Sequence, residues 1–202
     1  MKSLRVRVKT SSACILFPFI LAGCNLFEPR EAEQPSQSGV QYEQQTFPHA
    51  VITNLQKAIA QKDEAHYMAC FTNPARSQHG FTFIPSADAA DVYASVLRNW
   101  TYELELSYFR ELAAQAKSKQ PVGFSDLSLT AKDSLIASDT RTYSYDYTLR
   151  FEHSTPAFPQ TVRGSLQFVL MSENSQWTIS RWVDLKTRDD LTWSSFKGKF
   201  SR

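Results

Sequence analysis

The spacing of apolar residues changes near Pro121, and this change constrains the fold more than any other feature of the sequence. Before it, apolar residues recur every three or four positions, as they do along one face of a helix. After it they alternate, most clearly from Arg141 to His153. Alternation marks a strand with one packed face and one wetter face. The sequence therefore predicts an α+β domain in which helices precede a sheet.

Three helices are predicted in the first half of this domain. Val51, Leu55 and Ile59 mark the first helix, and Asp63 can cap a short second helix through its carboxylate. A loop from Ala75 to Asp88 leads to a long third helix ending near Lys117. Its apolar stripe consists of Tyr93, Val96, Leu97, Trp100, Leu104, Tyr108 and Leu112. The charged residues that mostly occupy its other faces are Glu103, Glu105, Arg110 and Glu111.

The predicted strands follow Pro121. Phe124, Leu127 and Leu129 begin one strand, and residues 134–137 are assigned to a second. After the strand at 141–153, alternating Val162, Leu166, Phe168 and Leu170 predict another, and the turn at 172–175 leads to a last strand at 176–182. Trp193 and Phe196 lie in a tail with a short basic end.

The amino terminus predicts export. Lys2, Arg5, Arg7 and Lys9 precede an apolar stretch at 13–20, which is too short for a bilayer span of roughly 20 residues but suits a signal peptide. The stretch ends in Leu21-Ala22-Gly23-Cys24, which resembles the lipobox of bacterial lipoproteins. The resemblance implies cleavage after Gly23 and acylation of Cys24. Residues 1–23 are thus predicted to be a signal peptide, with an ordinary cleaved signal or a short anchor as the alternatives.

Removing this signal changes the charge balance. Four of the 22 basic residues leave with it, so 18 basic residues face 20 acidic ones and the net charge falls from +2 to about −2. No basic stripe remains, and nucleic-acid binding is not expected. Cys14 also leaves and Cys24 is acylated, so Cys70 is alone and is predicted to be buried. Residues 24–45 are polar and rich in Pro and Ser, which predicts a disordered tether before a domain at 46–202.

The order of elements resembles the NTF2-like superfamily, which includes nuclear transport factor 2, ketosteroid isomerase and scytalone dehydratase. Two segments carry the resemblance: residues 58–63 with Tyr67-x-x-x-Phe71, and the closing strand Trp177-Thr178-Ile179-Ser180-Arg181-Trp182-Val183-Asp184. The resemblance implies three N-terminal helices packed on a curved antiparallel sheet that forms a cone. It covers most of residues 47–185.

Enzymes of that superfamily place paired acid–base residues inside the cone, and no such set can be matched here. Asp146 and Arg150 lie four residues apart on one strand face, as either a cone-lining pair or a solvated outer face. The four histidines show no metal-ligand spacing, and no catalytic residue, metal or cofactor is assigned. An apolar pocket, with an aromatic core as the alternative, would be lined by Trp100, Tyr143, Tyr145, Tyr147, Phe168 and Trp177.

The sequence thus favours an envelope lipoprotein whose domain binds a protein partner or a small apolar ligand without catalysis. A small hydrolase or isomerase with its site in the cone is one alternative. A structural component acting through its sheet face, for example as a homodimer, is another. The membrane is contacted through lipid on Cys24. Asn25 follows Cys24 where retained inner-membrane lipoproteins carry aspartate, which favours the outer membrane if the source has one.

Overall fold

The computed structural model describes residues 39–201. The predicted signal peptide, Cys24 and the tether up to residue 38 lie outside this range. The elements are α1 (Pro48–Gln61), α2 (Glu64–Ala69), β1 (Thr82–Ile84), α3 (Ala87–Val92), α4 (Ala94–Leu97), α5 (Tyr102–Lys117), β2 (Ser125–Ile136), β3 (Thr140–Phe151), β4 (Thr161–Glu173), β5 (Gln176–Leu185) and α6 (Trp193–Phe200). Among the helices within residues 39–201, none combines the length and the apolar character that crossing a bilayer requires.

The five strands form one curved sheet in the order β1-β5-β4-β3-β2. The α+β class is confirmed, and β2 to β5 pair antiparallel as predicted. The prediction of a wholly antiparallel sheet is wrong at one edge, because β1 pairs parallel with β5. β1 has only three residues and lies inside the predicted loop, where so short a segment shows no readable alternation.

β2 is one long strand and not two. Its pairing with β3 shifts register between Ala131 and Asp133, so Lys132 lies at a β-bulge. A bulge adds one residue to one strand and interrupts the alternation of side chains between the two faces. That interruption explains why residues 134–137 were predicted as a separate strand.

The first two predicted helices are confirmed as α1 and α2. The Asp63 carboxylate caps α2 by accepting a hydrogen bond from the His66 amide. The predicted single helix at 88–117 is wrong, since three helices, α3 to α5, occupy this range. Tyr93 leaves the helical conformation at φ −116°, and Thr101 starts α5 by accepting the Leu104 amide at 3.3 Å. Between residue 39 and β2 the chain therefore forms five helices.

The C-terminal tail forms α6, whose residues are almost all buried. Trp193, Phe196 and Phe200 are at most 2% exposed and join the core with α5 and the inner face of the sheet, the face that packs on the helices. Lys197, which belongs to the short basic end of the tail, is also 0% exposed. Because α6 is buried, its side chains fill the space that the curved sheet encloses.

The segment before α1 packs against the domain. The Glu43 amide donates to Asn54 Oδ1 at 2.9 Å, and Asn54 Nδ2 donates to the Glu43 carbonyl at 2.8 Å. The Tyr42 ring stacks on His66 with centroids 3.6 Å apart, and the Trp177 amide donates to the Gln45 carbonyl at 2.7 Å. Contacts with the folded domain thus begin before residue 46.

Candidate functional site

The curve of the sheet encloses a buried ion pair between α5 and α6. Lys197 Nζ donates to Glu105 Oε2, and both side chains are 0% exposed. Glu105 also accepts from the Tyr67 hydroxyl at 2.6 Å and from Trp100 Nε1 at 2.7 Å. The carboxylate therefore has three donors, which come from α6, α2 and the segment between α4 and α5.

Aromatic rings surround the Lys197 ammonium. Nζ lies 4.0 Å from the centroid of a Trp182 ring and 4.4 Å from that of Phe83, with Trp100 and Tyr108 each at 5.1 Å. Ring faces attract cations at such distances. Burial lowers the pKa of Lys197 to about 8, although the Glu105 carboxylate opposes this shift. The buried ammonium is thus enclosed by four aromatic side chains and one carboxylate.

A second buried carboxylate holds the start of α6. Asp184 Oδ2 accepts the Ser194 amide at 2.7 Å, and Asp184 Oδ1 accepts the Tyr147 hydroxyl at 2.8 Å. That hydroxyl in turn accepts the Trp193 amide at 2.6 Å. The first amides of a helix have no partner within it, so these contacts satisfy donors that would otherwise be unpaired. Burial raises the pKa of Asp184, while its hydrogen bonds from Ser194 oppose the rise.

The two carboxylates are held by the chain's own donors, which limits their chemistry. Burial also raises the pKa of Tyr67, Tyr108 and Tyr147, so these hydroxyls stay protonated. General acid–base catalysis requires a group within hydrogen-bond reach of the substrate atom. Here Glu105 and Asp184 reach other elements of this domain, and the arrangement fixes α6 in the cone.

The sequence prediction missed this cluster because it assigned Glu105 to an exposed face. The buried face of α5 in fact runs through Glu105, Tyr108, Phe109, Leu112, Ala113 and Ala116. Glu105 precedes Tyr108 by three residues and Leu112 by seven, so it continues the same stripe. That spacing was the signal that could have found it.

The six predicted pocket residues divide into two groups. Trp100, Tyr147 and Phe168 are at most 7% exposed and belong to the core. Tyr143, Tyr145 and Trp177 are partly exposed on the inner face of the sheet. The Tyr143 and Tyr145 rings lie 6.1 Å apart beside a cavity of about 380 Å³, and the Arg141 guanidinium lies 5.4 Å from a Trp177 ring centroid.

Two further cavities border the sheet. One of about 460 Å³ lies between α2 and the β4–β5 turn, and its lining mixes apolar Met68 and Phe71 with polar Arg76 and Glu173. The other, of about 310 Å³, lies on the outer face of the sheet, opposite the core. Asp146 borders it and is exposed, whereas Arg150 pairs with Glu152, so the structure places the two residues in separate contacts.

Cys70 and the histidines have structural surroundings. Cys70 is buried as predicted, and burial raises the pKa of its thiol. His66 is exposed and bonds Asp63, whereas His153 is 2% exposed and bonds the Pro159 carbonyl through Nε2. Within residues 39–201, no three His, Cys, Asp or Glu side chains group as metal ligands would.

The comparisons with known proteins concern the fold. No protein-family model matches the sequence. No curated protein matches it either. A protein of Novosphingobium aromaticivorans, provisionally named an aromatic ring hydroxylase, superposes with a TM-score of 0.53 at 9% identity over 79% of this chain and 99% of its own. A conserved protein of Planctomyces limnophilus gives 0.52 at 11% identity over 68% and 91%.

Structural neighbours also include NTF2-like proteins. One of unknown function, from Shewanella oneidensis, gives a TM-score of 0.48 at 13% identity over 69% of this chain and 96% of its own. The identities are so low that these similarities concern the fold alone.

Proposed function

We propose that this chain is a lipid-anchored protein of the bacterial cell envelope whose NTF2-like domain binds a protein partner and catalyses no reaction. One observation carries the absence of catalysis: Lys197 of α6 fills the cone and pairs there with Glu105. A substrate entering the same space would have to displace the ammonium from a carboxylate and four aromatic rings. Recognition therefore takes place on the outside of the domain.

The proposed contact area, which we call the tip surface, consists of Ile136, Arg141, Tyr143, Tyr145 and Trp177. Ile136 is 70% exposed and pairs with Arg141 at the end of the β2–β3 hairpin. The three aromatic residues are partly exposed on the neighbouring inner face. Tyrosine, tryptophan and arginine are enriched in the energetically important centres of protein interfaces. These features support a protein as the partner.

The partner surface can be tested by photocrosslinking in cells. A photoreactive amino acid replaces Ile136 in the full-length chain, and Val92, which is 72% exposed on α3, serves as the control position. We expect a discrete adduct from position 136 that is lost when Tyr143→Ala is added, and no adduct from position 92. Equal labelling from both positions, or no adduct from position 136, would rule out the tip surface.

The absence of catalysis needs its own test. The purified chain is assayed with model esters and enolisable ketones, beside Glu105→Gln, which keeps the size of the side chain. We expect no turnover above buffer. Turnover that disappears in a folded Glu105→Gln variant would instead support the hydrolase or isomerase alternative.

The anchor rests on the lipobox and is tested separately. Cys24→Ser should abolish metabolic labelling with palmitate and release the protein from the membrane fraction. Labelling that persists in Cys24→Ser would remove the lipoprotein assignment. Separating inner from outer membranes then tests the outer-membrane location inferred from Asn25.

A further inference from the structure

The cavity of about 310 Å³ on the outer face is built by two adjacent cross-strand rows and a returning segment. One row contributes Thr130 and Asp146, and the other contributes Ser128, Thr148 and Arg163. Residues directly opposite one another in a sheet share a face. Thr187 and Arg188, which follow β5, form the wall. We call this cavity the outer cleft.

The segment after β5 is held against the sheet by the backbone. The Arg163 amide donates to the Leu191 carbonyl at 3.0 Å, which fixes the return of the chain beside β4. The bulged residue Lys132 closes another side: its Nζ lies 3.1 Å from Asp146 Oδ1 and 3.5 Å from Ser165 Oγ. The outer cleft is therefore shaped by β2, β3, β4 and the segment after β5.

The lining of the outer cleft has a net positive charge, whereas the predicted mature chain has a net negative charge. Lys132, Arg163 and Arg188 face one carboxylate, Asp146, so its lining carries a net charge of about +2. The carboxylate of Asp146 already has partners within the domain. The hydrogen bond from Ser165 is the largest cause of its lowered pKa, and Lys132 lowers that pKa further. The excess positive charge of the outer cleft is therefore that of the Arg163 and Arg188 guanidinium groups.

Neither guanidinium has a strong internal partner. Arg163 makes one ion contact, to Asp190 at 3.7 Å, with both side chains about half exposed, and such pairs contribute little. Arg188 makes no ion pair within residues 39–201. By contrast, the Arg110 guanidinium donates two hydrogen bonds to the Glu64 carboxylate, at 2.9 and 2.8 Å. The donors of the two cleft arginines are thus available for a ligand.

We propose that the outer cleft binds a phosphate group. Guanidinium forks match phosphate oxygens in geometry and charge, and the hydroxyls of Ser128, Thr130 and Thr148 supply further donors. A volume of about 310 Å³ is at the lower end of ligand sites and fits a phosphate ester with a small organic group. This site shares Lys132 with the cavity beside Tyr143 and Tyr145, but its two arginines are not part of the tip surface, and the proposal does not depend on the proposed protein partner.

Calorimetry with inorganic phosphate and with glycerol phosphate tests the chemistry, using the purified full-length chain carrying Cys24→Ser at low ionic strength. We expect saturable binding and a dissociation constant that rises about tenfold or more in Arg163→Gln or Arg188→Gln. Arg181→Gln is the matched control, because Arg181 is exposed on the same sheet face, opposite Val169, but outside the outer cleft. It should leave binding unchanged.

Flotation with phosphatidylglycerol vesicles separates the two sources of phosphate. Binding of the soluble ester without vesicle binding assigns a soluble ligand. Vesicle binding that is lost in Arg188→Gln and kept in Arg181→Gln assigns a lipid headgroup. No saturable binding in either assay, or an equal loss in Arg181→Gln, overturns the proposal.

Discussion

Lys197 and Glu105 form an ion pair in which neither side chain has any exposed surface. Removing two charges from water is costly, and the attraction between them offsets that cost only while both are present. The pair also joins α6 to α5, so the filling of the cone and the integrity of the core depend on the same contact.

We expect Lys197→Met to lower the free energy of unfolding by about 3–5 kcal/mol, because it leaves the Glu105 carboxylate buried without a cation. Urea unfolding followed by tryptophan fluorescence measures the loss. Lys199→Met, on the partly exposed side of α6, is the control and should cost about 0.5 kcal/mol or less. Adding Glu105→Gln to Lys197→Met should recover part of the loss, whereas strictly additive costs would show that the two charges are not coupled.

The lowered pKa of Lys197 predicts a stability that rises with pH. The folded chain releases this proton near pH 8, whereas the unfolded chain keeps it until about 10.5. Between these values the unfolded state binds more protons, so stability attributable to Lys197 increases with pH by at most about 3 kcal/mol. Below pH 8 this increment is absent.

Other buried groups act in the opposite direction and require a difference measurement. Burial raises the pKa of Cys70 above its ordinary 9.0 and that of Tyr67, Tyr108 and Tyr147 above 10.0, so their contributions to stability are lost at higher pH. The Tm of the wild type is therefore compared with that of Lys197→Met from pH 7 to 10. The gap should widen above pH 8; a constant gap would contradict the shift.

Tyr147 and Asp184 should act as one unit at the start of α6. Tyr147→Phe removes the acceptor of the Trp193 amide and a donor to Asp184, and it should cost about 1–3 kcal/mol. A double-mutant cycle with Asp184→Asn should give a coupling energy above about 0.5 kcal/mol. Tyr143→Phe is a control on the same strand, with little expected effect. A cycle without coupling would mean that the two side chains hold α6 independently.

Gly198 should not tolerate a side chain. A Cβ there would overlap the Tyr93 side chain, so Gly198→Ala should lower the free energy of unfolding by about 1–3 kcal/mol through overpacking. Gly80→Ala, with nothing within 4 Å of the added carbon, provides the comparison. Replacing Tyr93 by alanine in the Gly198→Ala background should relieve the clash, and if it does not, the contact with Tyr93 is not the cause.

Much of the fold followed from local patterns. The alternation of Tyr147, Leu149 and Phe151 and the cap at Asp63 each predicted an element that the structure contains. β1 could not be predicted, because its pairing with β5 joins Thr82 to Arg181 across about half of the chain. The break at Tyr93 was missed for a similar reason: that ring packs against Gly198, far away in sequence.

The buried polar cluster was beyond the sequence because its members look like surface residues. Glutamate and lysine are common on exposed helix faces. Glu105 and Lys197 can be buried in the core because they form an ion pair with each other. Asp184 ends a strand motif, yet its partner Ser194 comes from a tail with no helix signal, as does Trp193, whose amide donates to Tyr147. Their role depends on α6 entering the cone.

The position of α6 has a consequence for the order in which the domain can be built during synthesis. Within residues 39–201, all five strands precede Trp193 in the chain and are synthesised before it. Until then Glu105 lacks its cation and Asp184 has no helix to cap, so the core cannot be completed. Completion of the fold therefore waits for α6, which is the last element of residues 39–201 to be synthesised.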